Sequence, residues 1–109
     1  MKISYSDKKL EKLCEQQKTM ERKLGTNSAN KLRARLSDLE AAERVTDLIV
    51  GSPHELTGDR AGQYSLRLAG GDRLVFKPDH DPVPVKKEGG IDWSRVTKVK
   101  IVFVGDYHV

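Results

Sequence analysis

The chain has 109 residues, of which 37% are hydrophobic and 33% charged, with a formal net charge of +4. This is enough for one compact domain with a modest core, taken as residues 1–109. It excludes a bilayer-spanning segment, since no apolar run approaches the roughly 20 residues required. The first residues lack the apolar stretch of a signal peptide, so the expected location is the cytoplasm. The single cysteine, Cys14, excludes an intrachain disulfide or a multi-cysteine zinc cluster.

The charge is uneven. Residues 1–35 carry ten Lys/Arg against four Asp/Glu, and the remainder carries ten against twelve. A basic N-terminal block, with Lys8, Lys9 and Lys12 in its first turns, fits a polyanionic partner such as nucleic acid.

Ile3-Ser4-Tyr5 reads as a short first strand. Ser6-Asp7 supplies a helix N-cap. Leu10, Leu13, Cys14, Gln17 and Met20 recur at helical spacing and predict one amphipathic helix over 7–23, with Cys14 on its apolar face. Gly25 ends it, and Leu32, Leu36 and Leu39 predict a second helix over 28–43, making a helical hairpin. Residues 45–49 carry the signal for one further short turn, stopped by Gly51-Ser52-Pro53.

After residue 60 the period changes from helical to alternating. Tyr64, Leu66 and Leu68 share one face of a strand over 64–68, with Ser65 and Arg67 on the other. Gly70-Gly71-Asp72 is a tight-turn signal, and a partner strand returns over 72–78. Residues 78–95, rich in Pro and Gly, read as an irregular arm, with His80 a bystander within it. A last strand runs over 97–105. The expected fold class is α+β: an N-terminal strand and a two-helix hairpin packed on one face of a small antiparallel sheet.

Polar residues gather on this frame. His54 precedes the 64–68 strand, Arg67 and Arg73 share a sheet face, and Asp106-Tyr107-His108 follows the last strand. Two imidazoles, a carboxylate, a phenol and guanidiniums suit phosphoryl transfer on RNA. One group takes the proton of a ribose 2′-OH, a second protonates the leaving 5′-oxygen, and arginines offset charge on the phosphate. This chemistry needs no metal and no cofactor.

The segments His54-x-Leu56-x-Gly58-Asp59-Arg60-x-Gly62-x-Tyr64-Ser65, Arg73-Leu74-Val75-Phe76 and Asp106-Tyr107-His108 resemble the HigB branch of the RelE/ParE toxin superfamily. The resemblance implies a RelE-like fold of helices on a small antiparallel sheet. It implies a toxin of a type II toxin–antitoxin system that cuts mRNA on the 70S ribosome, neutralised by a HigA-like helix-turn-helix antitoxin through which operator DNA would be reached. Carried over by position, it gives catalytic or RNA-orienting roles to His54, Asp106, Tyr107 and His108, and phosphate contact to Arg73. Arg60 matches the turn before the strand and is a further RNA-binding candidate, with Arg67, Lys8, Lys9 and Lys12. The stretch Pro78–Arg95 departs from the family pattern as an insertion. Two competing expectations remain: a ParE-like toxin that binds DNA gyrase without catalysis, and a catalytically silent partner-binding module of the same fold.

Overall fold

A computed structural model describes residues 1–107. His108 and Val109 lie outside the described residues. In chain order the elements are β1 (Lys2–Tyr5), α1 (Lys8–Glu15), α2 (Gln17–Leu24), α3 (Thr26–Ala41), β2 (His54–Glu55), β3 (Tyr64–Arg67), β4 (Arg73–Pro78) and β5 (Lys98–Gly105). Single 3₁₀ turns occupy Val45–Asp47, Gly58–Arg60 and Trp93–Arg95. The α+β class and the 3₁₀ turn after the helices match the sequence expectation.

The single helix expected over 7–23 is two. Asp7 caps α1 by accepting from the Leu10 N–H at 2.8 Å. At Gln16 the backbone turns extended (φ −114°, ψ 114°), closing α1 through its own N–H to the Lys12 carbonyl and opening α2. Gln is a good helix former, so propensity gives no hint of this break. What the break achieves is packing: Cys14 of α1 and Met20 of α2 both enter the core, where α3 contributes Ala29, Leu32, Leu36 and Leu39. The third helix starts at Thr26, after Gly25 in a left-handed conformation (φ 81°), two residues before the expected start at 28.

The sheet has five strands in the order β1-β5-β4-β3-β2. The three expected strands form its antiparallel centre, and β1 joins β5 in parallel, making the sheet mixed. Leu66, Leu74, Phe76, Val99 and Ile101 point into one core with the helices. Between Val75↔Phe103 and Phe76↔Ile101 the register shifts, leaving Val102 as a bulge. Because side chains alternate faces, the bulge keeps Ile101 in the core yet turns Phe103 to the opposite, outer face. This outer face is where the candidate residues collect.

Residues 78–95 are more structured than an irregular arm. Val85 pairs with Ile91 in a β-bridge, and Arg95 donates to the Val85 carbonyl at 2.8 Å. Trp93 is 8% exposed and packs against Tyr64 at a 46° tilt, with centroids 4.7 Å apart. His80 accepts the Thr97 N–H at 3.0 Å and the Lys98 N–H at 3.3 Å, a structural role at the entry to β5. Within the described residues, no helix is long and apolar enough to cross a membrane.

Candidate active site

The outer face of the sheet carries, in register, His54, Ser65, Val75 and Phe103, then Arg67, Arg73 and Gly105 beside them. Over it lies a cleft of about 890 Å³ lined by Ser52, His54, Glu55, Leu56, Thr57, Asp59, Arg60, Arg67, Arg73 and Tyr107. The structure thus brings together five residues singled out from sequence: His54, Arg60, Arg67, Arg73 and Tyr107.

Each is aimed by its local structure. His54 opens the two-residue strand β2, an element not among the strands expected from the sequence. Its Nδ1 lies 2.9 Å from the Ser52 carbonyl. A carbonyl only accepts, so Nδ1 carries a proton and the neutral ring offers Nε2 as its base. Ser52 itself holds a left-handed backbone (φ 48°), the turn that makes this contact. Ser52 was not among the sequence candidates. The Gly51-Ser52-Pro53 turn signal was visible, but the carbonyl acceptor was not.

Arg73 is only 8% exposed. Its Nη1 donates to the Gly70 carbonyl at 3.2 Å and the Asp72 carbonyl at 2.9 Å. Neutral acceptors orient the guanidinium without cancelling its charge. The turn holding them is fastened from the helix side: Ser28 Oγ donates to the Asp72 carboxylate at 2.6 Å and to the Ala69 carbonyl at 3.3 Å. Arg67 pairs directly across from Arg73, and its N–H donates to the Gly51 carbonyl at 2.7 Å. Arg60 donates to Gln63 Oε1 at 2.9 Å, and its guanidinium lies 4.6 Å from the Phe103 ring centre and 5.1 Å from that of Tyr107. Tyr107 meets Phe103 edge-on, with centroids 6.0 Å apart.

Other candidates stand apart. Asp106 is exposed and does not line the cleft; its carboxylate packs on the β3–β4 turn, where a Cβ added to Gly71 would lie 2.9 Å from Asp106 Cγ. His108 lies outside the described residues. Lys8, Lys9 and Lys12 are exposed on α1, in the layer on the other side of the sheet, and none lines the cleft. Lys9 and Lys12, with Arg22 and Lys23, rim a second groove floored by Leu10, Leu13 and Val104.

Comparison with known proteins agrees with this architecture. Solved structures with a similar fold include a YoeB/ParE toxin from Agrobacterium tumefaciens, at TM-score 0.59 and 14% identity over 98% of this chain and 99% of that one. They also include a YoeB-YefM complex from Staphylococcus aureus, at TM-score 0.59 and 18% identity over 98% and 97%. A YoeB dimer from the same organism gives TM-score 0.58 at 18% identity, again over 98% and 97%. No curated protein matches the chain. Residues 3–85 match the HigB-like toxin family, described as the RelE-like toxin of type II toxin-antitoxin system HigB. That match spans most of the chain, and on it the protein belongs to the HigB-like toxins of type II toxin–antitoxin systems.

Proposed function

We propose that this toxin is an endoribonuclease that cleaves mRNA on the ribosome by attack of a ribose 2′-oxygen on the adjoining phosphate. The observation that carries this reading is the convergence of one imidazole, one phenol and three guanidiniums in a single cleft. The contact of His54 Nδ1 with the Ser52 carbonyl, which makes Nε2 the basic nitrogen of the neutral ring, favours this reading over a surface that only binds a protein partner.

In this reading His54 Nε2 takes the 2′-OH proton, or in its protonated form supplies one to the leaving 5′-oxygen. Arg73 and Arg67 hold the phosphate as charge develops on its oxygens, and the fixed geometry of the Arg73 guanidinium avoids reorganisation during reaction. Tyr107 and Arg60 orient the nucleotide by stacking and charge. Asp106, braced on the Gly71 turn, positions the C-terminal segment, and His108 shares the acid and base work with His54. No step requires a metal. Lys8, Lys9 and Lys12 meet ribosomal RNA. A short open cleft has few groups to fix a flexible strand, so the ribosome supplies the positioning, which contributes several kcal/mol to such reactions. The protein therefore acts in the cytoplasm, and a helix-turn-helix antitoxin neutralises it.

The test is cleavage of a programmed ribosome's message by purified protein, beside the His54→Ala variant. Loss of a general acid or base lowers the rate about 10²–10⁴-fold. A folded His54→Ala protein with undiminished cleavage overturns the assignment. Inhibition of gyrase supercoiling without RNA cleavage overturns the reaction class.

A further inference from the structure

Beyond the cleft, the same outer face carries a second basic surface that the reaction does not use. Lys77 of β4 pairs directly with Lys100 of β5, and Lys2 of β1 pairs directly with Lys98 of β5. The core-facing neighbours Phe76, Val99 and Ile101 place all four lysines on the face away from the helices. Lys2, Lys77 and Lys98 are exposed, and Lys100 is half-buried.

Side chains directly opposite on antiparallel strands, as Lys77 and Lys100 are, lie about 4.5–5.5 Å apart at Cβ, and like charges there are destabilising. Arg67↔Arg73 in the cleft repeats the pattern, giving three like-charged pairs on one face. Among the described residues the ion pairs are all made by arginines on other elements, and none of these four lysines meets a carboxylate. The nearby Asp79 carboxylate instead accepts the Ser4 hydroxyl at 2.9 Å. Four lysines against this one carboxylate leave the patch net positive, which favours an external anion.

The patch is continuous with the cleft. Lys77 lies four residues along β4 from Arg73, about 13 Å at strand rise, and the Val75–Phe103 pair fills the interval. A chain of regularly spaced negative charges leaving the cleft along β4 and β5 would meet Lys77 and Lys100 first, then Lys98 and Lys2.

The geometry points to a second phosphate track: Lys77, Lys100, Lys98 and Lys2 bind the phosphodiester backbone of RNA beyond the nucleotides in the cleft. This rests on the RNA-directed reading above. The backbone belongs either to the message or to ribosomal RNA, a distinction left to the arms of the test.

The variant is the quadruple Lys2→Gln, Lys77→Gln, Lys98→Gln and Lys100→Gln, with the matching quadruple Lys→Arg protein as a control that keeps the charge. Binding is measured against salt on three probes: a non-cleavable 2′-O-methyl RNA 12-mer, ribosomes whose message ends at the A-site codon, and ribosomes with a longer message. Each phosphate contact contributes about 0.7 to the slope of log affinity against log salt on a single strand. Four contacts therefore predict a slope shallower by about 3 in the Gln variant, and wild-type behaviour in the Arg variant. Loss on the 12-mer and only with the longer message assigns the track to mRNA; equal loss on both ribosome probes assigns it to ribosomal RNA. A slope change below about 0.7 on all three probes overturns the track. The thermal midpoint gives a readout independent of RNA. Removing like-charge pairs leaves it unchanged or higher at low salt, so a loss of binding accompanied by a lowered midpoint is misfolding and also counts against the track. The two readings fail separately. A protein that does not cleave but keeps the slope difference loses the ribonuclease assignment alone; one that cleaves with an unchanged slope loses the track alone.

Discussion

The guanidinium of Arg60 lies over the ring of Phe103, 4.6 Å from its centre. This joins the 3₁₀ turn before β3 to the last strand across the outer face. Phe103 is available there only because the Val102 bulge turns it out of the core. A cation over an aromatic face contributes about 0.5–1 kcal/mol at a partly exposed site. A double-mutant cycle of Arg60→Ala and Phe103→Ala, followed by urea unfolding, is expected to return a coupling of about that size. Additive effects would show that the pair makes no favourable contact.

Asp106 rests on Gly71, so a methyl group at Gly71 must displace its carboxylate. Gly71→Ala is expected to swing the exposed Asp106 carboxylate off the turn while leaving the core intact. Cleavage should fall while the unfolding midpoint changes little. A Gly71→Ala protein with full activity would mean that the contact of Asp106 with this turn does not matter to the reaction.

Trp93 tests whether residues 78–95 belong to the folded domain. Its buried ring packs at a tilt against Tyr64, whose phenol is itself held above its usual value of 10.0, first by burial and then by the Glu55 charge. Trp93→Ala is expected to cost about 3–5 kcal/mol. Trp93→Phe should cost much less, because the indole N–H is buried without a partner among the described residues and its removal leaves no donor unmet. Equal losses from the two substitutions would contradict this packing account.

Burial pushes the Cys14 thiol from 9.0 up to about 12, and burial likewise pushes Tyr5 from 10.0 up to about 12. Both groups favour their neutral forms in the folded state more than in the unfolded chain. Their contribution is complete below pH 9 and declines as pH rises from there to about 12. Urea midpoints should therefore fall over that window. Cys14→Ala and Tyr5→Phe together should flatten the fall, and an unaltered alkaline profile in that variant would be inconsistent with the assignment.

Much of the fold was legible because its signals are local. The change from the Leu32/Leu36/Leu39 spacing to the Tyr64/Leu66/Leu68 alternation marks helices followed by strands, and Gly70-Gly71-Asp72 marks their hairpin. Three features were not legible. The break at Gln16 follows from where Cys14 and Met20 must pack. The parallel pairing of Lys2–Tyr5 with Lys98–Ile101 joins opposite ends of the sequence. The Val102 bulge leaves no trace in a run of apolar residues. The site divides the same way. Arg67 and Arg73 were placed by strand register and His54 by the motif before the strand, whereas Asp106 turned out to face the Gly71 turn, a contact that no spacing rule foresees.

The end groups of the cut message distinguish attack by the 2′-oxygen from attack by water. Attack by the 2′-oxygen leaves a 2′,3′-cyclic phosphate on one product and a 5′-hydroxyl on the other. Purified toxin, programmed ribosomes and an end-labelled message should yield a downstream fragment that polynucleotide kinase labels without prior phosphatase treatment. A single 2′-deoxy substitution immediately upstream of the cut should abolish cleavage there. Fragments bearing a 5′-phosphate, or cleavage that survives the 2′-deoxy substitution, would contradict the account.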